Sequence, residues 1–310
     1  MREYLLYLYA ESPVHAGGAE SDGLVDLPIQ REVSTGYPVI WGQSLKGALR
    51  QAAHDAQWNA GREAGSGEHQ LSAVEQVFGR MASGGDDDVR NTTAGLLSVG
   101  DAQLVALPVP TLQRGFAWAT SRLALSRLAR KHARLNSGHT PPDVPEVGED
   151  YGLCANVEWT HSGQVIGPCV VNIQEEEGER RLAAWAGLIA REGIGTEPHM
   201  SVPGAKFRED LLMVGEAVMA QLLRECTEHS VRVQLEQNSK VVKEGPFTSE
   251  YLPTETLMVS VLTLRERGGS EDLEHHHELL RELLHGRVLQ IGGDETLGKG
   301  LMWARLVEAT

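Results

Sequence analysis

Three stretches hold residues whose types and spacing suit chemistry on an anion. Lys46 and Arg50 stand four apart in a run with helical apolar spacing (Leu45, Ala48, Leu49, Ala52, Ala53), so they share one helix face. Ser44 suits the N-cap, where its hydroxyl accepts from an orphan amide, and Gln43 precedes it. A first-turn lysine opposes the helix dipole, which points to an anion at the free amides of that helix start. The plain alternative is a solvated pair of cations. The second stretch is Gly292-Gly293-Asp294-Glu295-Thr296-Leu297-Gly298-Lys299-Gly300. From Gly293 it lies one residue from a phosphate-binding loop, but Gly300 stands where such a loop needs Ser or Thr for Mg2+. Asp294 and Glu295 would face a triphosphate, and the run 301–307 looks like a strand where a helix is required. A glycine turn between two strands is the better reading, with a backbone that approaches phosphate closely because no Cβ intervenes. A nucleotide-binding enzyme is the rival. The third stretch holds Asp26, with Glu20 and Asp22 close by. An unperturbed aspartate, with a pKa of about 3.9, is ionised at neutral pH. It either binds a divalent metal or accepts a hydroxyl's hydrogen bond. The plain alternative is a turn residue or an ion-pair partner of Arg31.

The elements that must position these residues come from a chain of 310 residues, enough for one large domain or two modest ones. Hydrophobic content of 41% and charged content of 23% are those of an ordinary globular protein. No apolar run reaches membrane-spanning length, and Met1-Arg2-Glu3 lacks a signal-peptide pattern, so a cytoplasmic protein with no membrane partner is expected. Cys154, Cys169 and Cys226 are far apart and form no CxxC pair, so neither a zinc site nor a disulfide frame is suggested. The net charge of −15 opposes wholesale binding of nucleic acid; a polyanion must follow a local basic track.

The densest basic patch is Arg127, Lys131 and Arg134, with Arg122 and Arg130 nearby, on a helix expected over 116–135; it is either a binding stripe or a solvated face. Strands are expected at 4–9, 95–109 (with Asp101 breaking an apolar pattern), 164–173, 230–236, 257–264, 288–291 and 301–307. Helices are expected at 74–78, 182–190, 210–227 and 273–284, irregular chain at 136–150 and 193–204, and a hairpin turn at Asn238-Ser239. His275, His276 and His277 point about 100° apart on their helix, cannot converge on one metal, and read as surface. Asp86-Asp87-Asp88 beside glycines and Glu175-Glu176-Glu177 read as solvated turns.

The wording of several stretches is specific. Asp26-Leu27-Pro28-Ile29-Gln30-Arg31-Glu32 is followed by Gly42-Gln43-Ser44-Leu45-Lys46-Gly47-Ala48-Leu49-Arg50. With Val109-Pro110-Thr111-Leu112, Gly115-Phe116-Ala117-Trp118, Lys243-Glu244-Gly245, Glu250-Tyr251-Leu252-Pro253 and the glycine loop near the end, this resembles the RAMP superfamily of CRISPR proteins. It most closely resembles the repeated backbone subunit of the type III-B (Cmr) effector complex. The resemblance implies an α+β fold, with a ferredoxin-like (RRM-type) core in a single domain over 1–310. It implies large insertions at about 59–93 and 136–230, forming a helical lid and a thumb-like hairpin, the hairpin near 193–204. It implies a subunit that binds CRISPR guide RNA, oligomerises along it with copies of itself and other Cmr subunits, and cleaves complementary target RNA with Mg2+ or another divalent metal. A non-catalytic RNA-binding scaffold is the alternative.

RNA cleavage by in-line attack of a 2′-hydroxyl needs a splayed nucleotide, a group that orients the hydroxyl, and charge neutralisation at phosphorus. The resemblance assigns cleavage to Asp26, a second or stacking role to His15, and cleavage support to Glu250 and Tyr251. It assigns RNA contacts to Gln43, Ser44, Lys46, Arg50, Arg127, Lys131, Gly292, Gly293, Gly298, Lys299 and Gly300. No paired-carboxylate spacing, HxxxH motif or Ser–His–Asp signature is present, so catalysis is expected to be modest and to depend on how the RNA is bent.

Overall fold

The computed structural model describes residues 1–18, 25–58, 71–80, 93–135, 140–156, 159, 163–174, 178–236, 241–266 and 270–308. Glu20 and Asp22, the soft segment 60–69, the loop around Asp86, Glu175-Glu176-Glu177 and the Asn238-Ser239 turn lie outside them. In chain order the elements are β1 (Arg2–Ala10), β2 (Val39–Ile40), α1 (Gly42–Asp55), α2 (Ala73–Phe78), β3 (Gly79–Arg80), β4 (Thr93–Ala94), β5 (Leu97–Val99), β6 (Ala102–Thr111), β7 (Gly115–Ser121) and α3 (Arg122–Arg134). There follow β8 (Tyr151–Cys154), β9 (Gln164–Ile166), β10 (Cys169–Ile173), α4 (Gly178–Ile189), α5 (Ser201–Asp210), β11 (Leu211–Val214) and α6 (Glu216–Glu225). The chain ends with β12 (Glu228–Leu235), β13 (Val242–Tyr251), β14 (Leu257–Leu264), α7 (Ser270–Leu284), β15 (Arg287–Gln290) and β16 (Leu301–Glu308).

β1 is the keel. Tyr4 to Ala10 is a near-continuous apolar run, and successive side chains of a strand face opposite sides. Tyr4, Leu6 and Leu8 enter one core with Leu45 and Leu49 of α1 and Leu280 and Leu284 of α7. Leu5, Tyr7 and Tyr9 enter a second core with Trp118, Trp185 and Phe207. Full burial of each leucine contributes about 2 kcal/mol. β1 pairs antiparallel with β14 (Tyr4↔Leu262) and β16 (Tyr7↔Arg305), giving the local order β15-β16-β1-β14-β6 with α1 and α7 on one face.

Beyond β6 the sheet continues as β7-β11-β8-β10-β9, and β9 returns to β6 through Thr111↔Ile166, closing a ring of six strands. Residues 136–230, expected as lid and thumb, therefore supply strands to the main sheet as well as helices. No helix among the described residues is long and apolar enough to cross a membrane.

Tertiary pairing overrides periodicity at several places. The helix expected over 116–135 begins only at Arg122. Residues 115–121 are instead strand β7 between β6 and β11, and Ser121 caps α3 by accepting from the Ala124 amide at 3.3 Å. The helix expected over 210–227 is split by β11, whose four apolar residues are all buried in parallel pairing with β7. Residues 193–204 form no hairpin. They run from a π-helical turn (Ala190–Ile194) into α5, with Gly193 against Tyr7 and Leu257 and with Ile194 and Met200 buried. The protruding hairpin is β12–β13, where Val231, Val233, Val242 and Phe247 remain exposed. His276 and His277 are buried rather than on the surface; His277 stacks on Tyr4 and shares a 3.0 Å hydrogen bond with its hydroxyl.

Candidate functional site

The α1 entry is built differently from the expectation. Ser44 is not the cap, since the helix already begins at Gly42, which places Ser44 inside the first turn. The capping acceptor is Asp101, whose Oδ1 takes the Gly42 amide at 2.7 Å. The acid that interrupted an apolar pattern in sequence therefore closes this helix end. Gly42 is required there, because a Cβ would stand 2.4 Å from the Val99 carbonyl oxygen. Gln30 accepts from the Trp41 amide at 2.8 Å, tying the loop that carries Asp26 to the same helix start.

Gln43 and Ser44 are exposed, and Lys46 and Arg50 are partly exposed. Lys46 donates to the Leu97 carbonyl at 2.8 Å. Burial, then the Arg50 charge, lowers its pKa from the ordinary lysine value. Ser44 and Gly47 line an open groove of about 1180 Å³ together with Gly292, whereas Lys46 and Arg50 lie outside it. Among the described residues the charged ones lining the groove are Asp55, Glu282, Arg287 and Glu295, three acids to one cation.

The C-terminal end of β13 orders the rest of the site. Thr248 donates its amide to Asp26 Oδ2 at 2.7 Å and accepts from the Leu27 amide at 3.0 Å. The Glu250 amide donates to the Leu27 carbonyl at 2.9 Å, so the Asp26 loop is stitched onto β13 by backbone. On the same strand, the Glu250 carbonyl meets His15 Nδ1 at 2.7 Å, and just past its end Leu252 pairs with Val14. Two residues of strand, about 7 Å, separate the anchors of Asp26 and His15. Asp26 is exposed, and its Oδ1 has no partner among the described residues.

Glu250 and Tyr251 do not face open solvent. Glu250 is 5% exposed; its carboxylate accepts from the Ile29 amide at 3.1 Å and from Arg31 at 2.5 Å. Arg31 thus pairs with Glu250 and not with Asp26, which removes the simplest structural explanation of Asp26. Arg31 also donates to the carbonyls of Gly36 and Leu223, both at 3.0 Å. Tyr251 is 1% exposed, its ring lies 5.5 Å from that of His15, and its hydroxyl donates to Asp294 at 2.8 Å.

The glycine loop is a hairpin connection between β15 and β16, containing a single 3-10 turn (Glu295–Leu297). Strand β16 follows Lys299 where a nucleotide-binding motif needs a helix, so the loop lacks the frame of that motif. Gly293 donates its amide to the His15 carbonyl at 2.9 Å. At Gly292 (φ +87) a Cβ would stand 2.4 Å from that carbonyl oxygen, so only glycine lets the two loops touch. Gly298 (φ +72) faces open space, while Gly300 (φ +83) is pressed on the Ile291 carbonyl. The Lys299 ammonium lies 5.1 Å from the Tyr251 ring centre, a cation–π contact that leaves its hydrogens free for an anion.

The α3 stripe is not a free cationic surface. Arg127 forms a fork with Glu32 (Nη1 to Oε1 3.0 Å, Nη2 to Oε2 2.8 Å). Lys131 donates to Gln103 Oε1, Arg134 pairs with Glu3, and Arg122 pairs with Glu146. Burial, then the charges of Arg127 and Arg130, brings the Lys131 pKa down to about 8. Burial raises the Glu32 carboxyl, but hydrogen bonds from Thr35, Arg127 and Gln103 and the Arg127 charge outweigh it and hold the group below the ordinary value. The sequence gives no sign of Thr248, Arg232 or Asp294 as site-builders. Two act through contacts at great chain separation, and Asp294 looked like an obstacle to phosphate.

Comparison with known proteins places these features in a family. A model of the RAMP superfamily matches residues 7–303. The chain is 31% identical to the CRISPR system Cmr endoribonuclease Cmr4 of Pyrococcus furiosus, covering 100% of this chain and 97% of that protein. It is 23% identical to the CRISPR system CMR subunit Cmr4 of Saccharolobus solfataricus, covering 96% and 94%. Among solved structures, oligomeric Cmr4 from Pyrococcus furiosus superposes with a TM-score of 0.72 at 28% identity, covering 100% of this chain and 99% of that one. A chain of the type III-B Cmr-beta assembly bound to cognate target RNA shares the fold, with a TM-score of 0.71 at 18% identity over 99% and 97% of the two chains.

Proposed function

The chain belongs to the RAMP superfamily, and on that premise we propose that it is the repeated backbone subunit of a type III-B Cmr effector complex. It binds guide RNA in the cytoplasm, stacks on copies of itself and on other subunits of the complex, and cuts complementary target RNA. The curated relative of Pyrococcus furiosus is named an endoribonuclease. The order β16-β1-β14-β6 with α1 and α7 on one face is read as the ferredoxin-like unit, and β12–β13 as the thumb.

The observation that carries the cleavage reading is the Thr248 amide on Asp26 Oδ2. It fixes an exposed carboxylate whose other oxygen stays open, beside a strand that also holds His15. Asp26 Oδ1 orients the 2′-hydroxyl of the nucleotide before the scissile phosphate, and Thr248 holds the carboxylate against rotation. His15 is anchored two strand residues further on, its Nδ1 occupied by the Glu250 carbonyl, which leaves Nε2 as the nitrogen that faces RNA. The exposed hairpin valines and Phe247 splay the strand out of helical geometry.

Among the described residues no three acids, histidines or cysteines converge as a metal cage. Mg2+ is commonly held by one or two carboxylates together with substrate phosphates, so the open oxygen of Asp26 fits it. Asp26 would hold the ion, and the chemistry it would supply is charge neutralisation at phosphorus. Lys299, Arg50 and Lys46 supply cations along the guide path, and the glycine loop lets its phosphates approach.

The test is the assembled complex with matched target RNA. Fragments at regular intervals are expected, with Asp26→Ala lowering their rate at least a hundredfold while guide RNA still co-purifies. Undiminished cutting by that variant removes Asp26 from catalysis, and absence of any fragments from the native complex leaves the scaffold role alone.

A further inference from the structure

Asp294 sits in the glycine loop, at φ +62, where sequence reasoning saw only repulsion of phosphate. Its carboxylate is already engaged. Arg232 of β12 grips both oxygens (Nη1 to Oδ1 2.9 Å, Nη2 to Oδ2), and the Tyr251 hydroxyl of β13 donates to Oδ2 at 2.8 Å. The Tyr251 ring lies within 5.7 Å of the Arg232 guanidinium and within 5.1 Å of the Lys299 ammonium. One acid in the glycine loop therefore holds both strands of the protruding hairpin.

The two halves of the site hang from the two bodies so joined. The hairpin anchors Asp26 through Thr248 and Leu27. The glycine loop anchors the other face of the His15 loop through Gly293 and Gly292, and carries Lys299. We propose that the Asp294–Arg232–Tyr251 contact is a latch that sets the angle between hairpin and glycine loop, and so the register of Asp26 and the His15 side chain, both held by β13, against Lys299. These are positioning residues for target cleavage, and that role rests on the nuclease reading above. Asp294 is negative so as to clamp its own chain, and its charge is spent before RNA arrives. Paired in this way, it does not oppose phosphate at Lys299. A displacement of the order of 1 Å at reacting groups costs up to about a hundredfold in rate, so a loosened hairpin should slow cutting without releasing the guide.

The test compares Asp294→Asn, which tolerates the left-handed backbone, Arg232→Met, and the two together. In the full chain, hydrogen exchange at the Thr248, Glu250 and Gly293 amides should rise at least tenfold in every variant. In assembled complexes at saturating target, the cleavage rate should fall about tenfold in each single variant and no further in the double, with guide retention and target affinity unchanged; Arg232→Lys should recover part of the rate. Unchanged exchange overturns the latch. So does an additive loss in the double variant, or a drop in guide binding that accounts for the slower cutting and would make Arg232 an RNA contact. If the native complex cuts nothing, the nuclease reading falls while the exchange experiment still decides whether the latch exists.

Discussion

Two cationic regions of this molecule look alike in sequence and differ in structure. The α3 stripe has more basic residues at tighter helical spacing than the surface formed by α1 and the glycine loop. Yet Arg127, Arg134 and Arg122 each face an acid from elsewhere in the chain, and Lys131 is drawn inward onto Gln103. Arg50 and Lys299 form no ion pair among the described residues, and Lys299 rests on an aromatic face instead. What decides whether a cation can meet RNA is whether the fold has brought it a counter-charge. The net charge of −15 is the excess left after such pairs cancel, so each internal pair removes a cation from the reach of RNA without making the chain less acidic.

Charge reversal tests the contrast most strongly. Lys299→Glu and Arg50→Glu should each weaken guide binding on the order of tenfold and lower the slope of log affinity against log salt by about 1, read by titration at several salt concentrations. Equal losses from Arg127→Met would erase the distinction between the regions. The expected result for Arg127→Met is instead a stability loss of about 2 to 3 kcal/mol in denaturant unfolding, with guide affinity intact, because Glu32 is left partly buried without its partner.

The same pair has a pH signature. The Glu32 carboxyl is held below its ordinary value of 4.5 in the folded state, so its contribution is present above that pH and is lost as pH falls through the folded value. Glu32→Gln should therefore narrow its gap to the native protein in acid melts. The smallest effect is expected at Lys131. Its folded pKa near 8 lies under the usual 10.5, so between those values the unfolded chain holds the extra proton and stability rises with pH. Lys131→Met should flatten that rise and raise the melting temperature modestly at pH 7.

Much of the fold was legible because β1, β14, β16, α1 and α7 carry strong local signals: unbroken apolar strands, or apolar residues at helical spacing. The misreadings share one cause. Residues 116–121 and 211–214 are apolar runs too short for periodicity to separate a helix from a buried strand, and strand partners made the choice. At the site, Asp26, His15 and the glycine loop were visible as residue types. Glu250 and Tyr251 were visible too, as candidates for cleavage support, whereas burial makes them braces.

The sequence by itself determined an α+β chain with a glycine hairpin, a loop carboxylate and a cationic helix start, because residue type and spacing alone set turn chemistry, ionisation and helix faces. Only the tertiary structure decided which acid caps α1, which charges cancel, and that β13 holds Asp26 and His15 on one strand. Those outcomes depend on contacts between residues as far apart as Asp26 and Thr248, and no local pattern encodes such a distance.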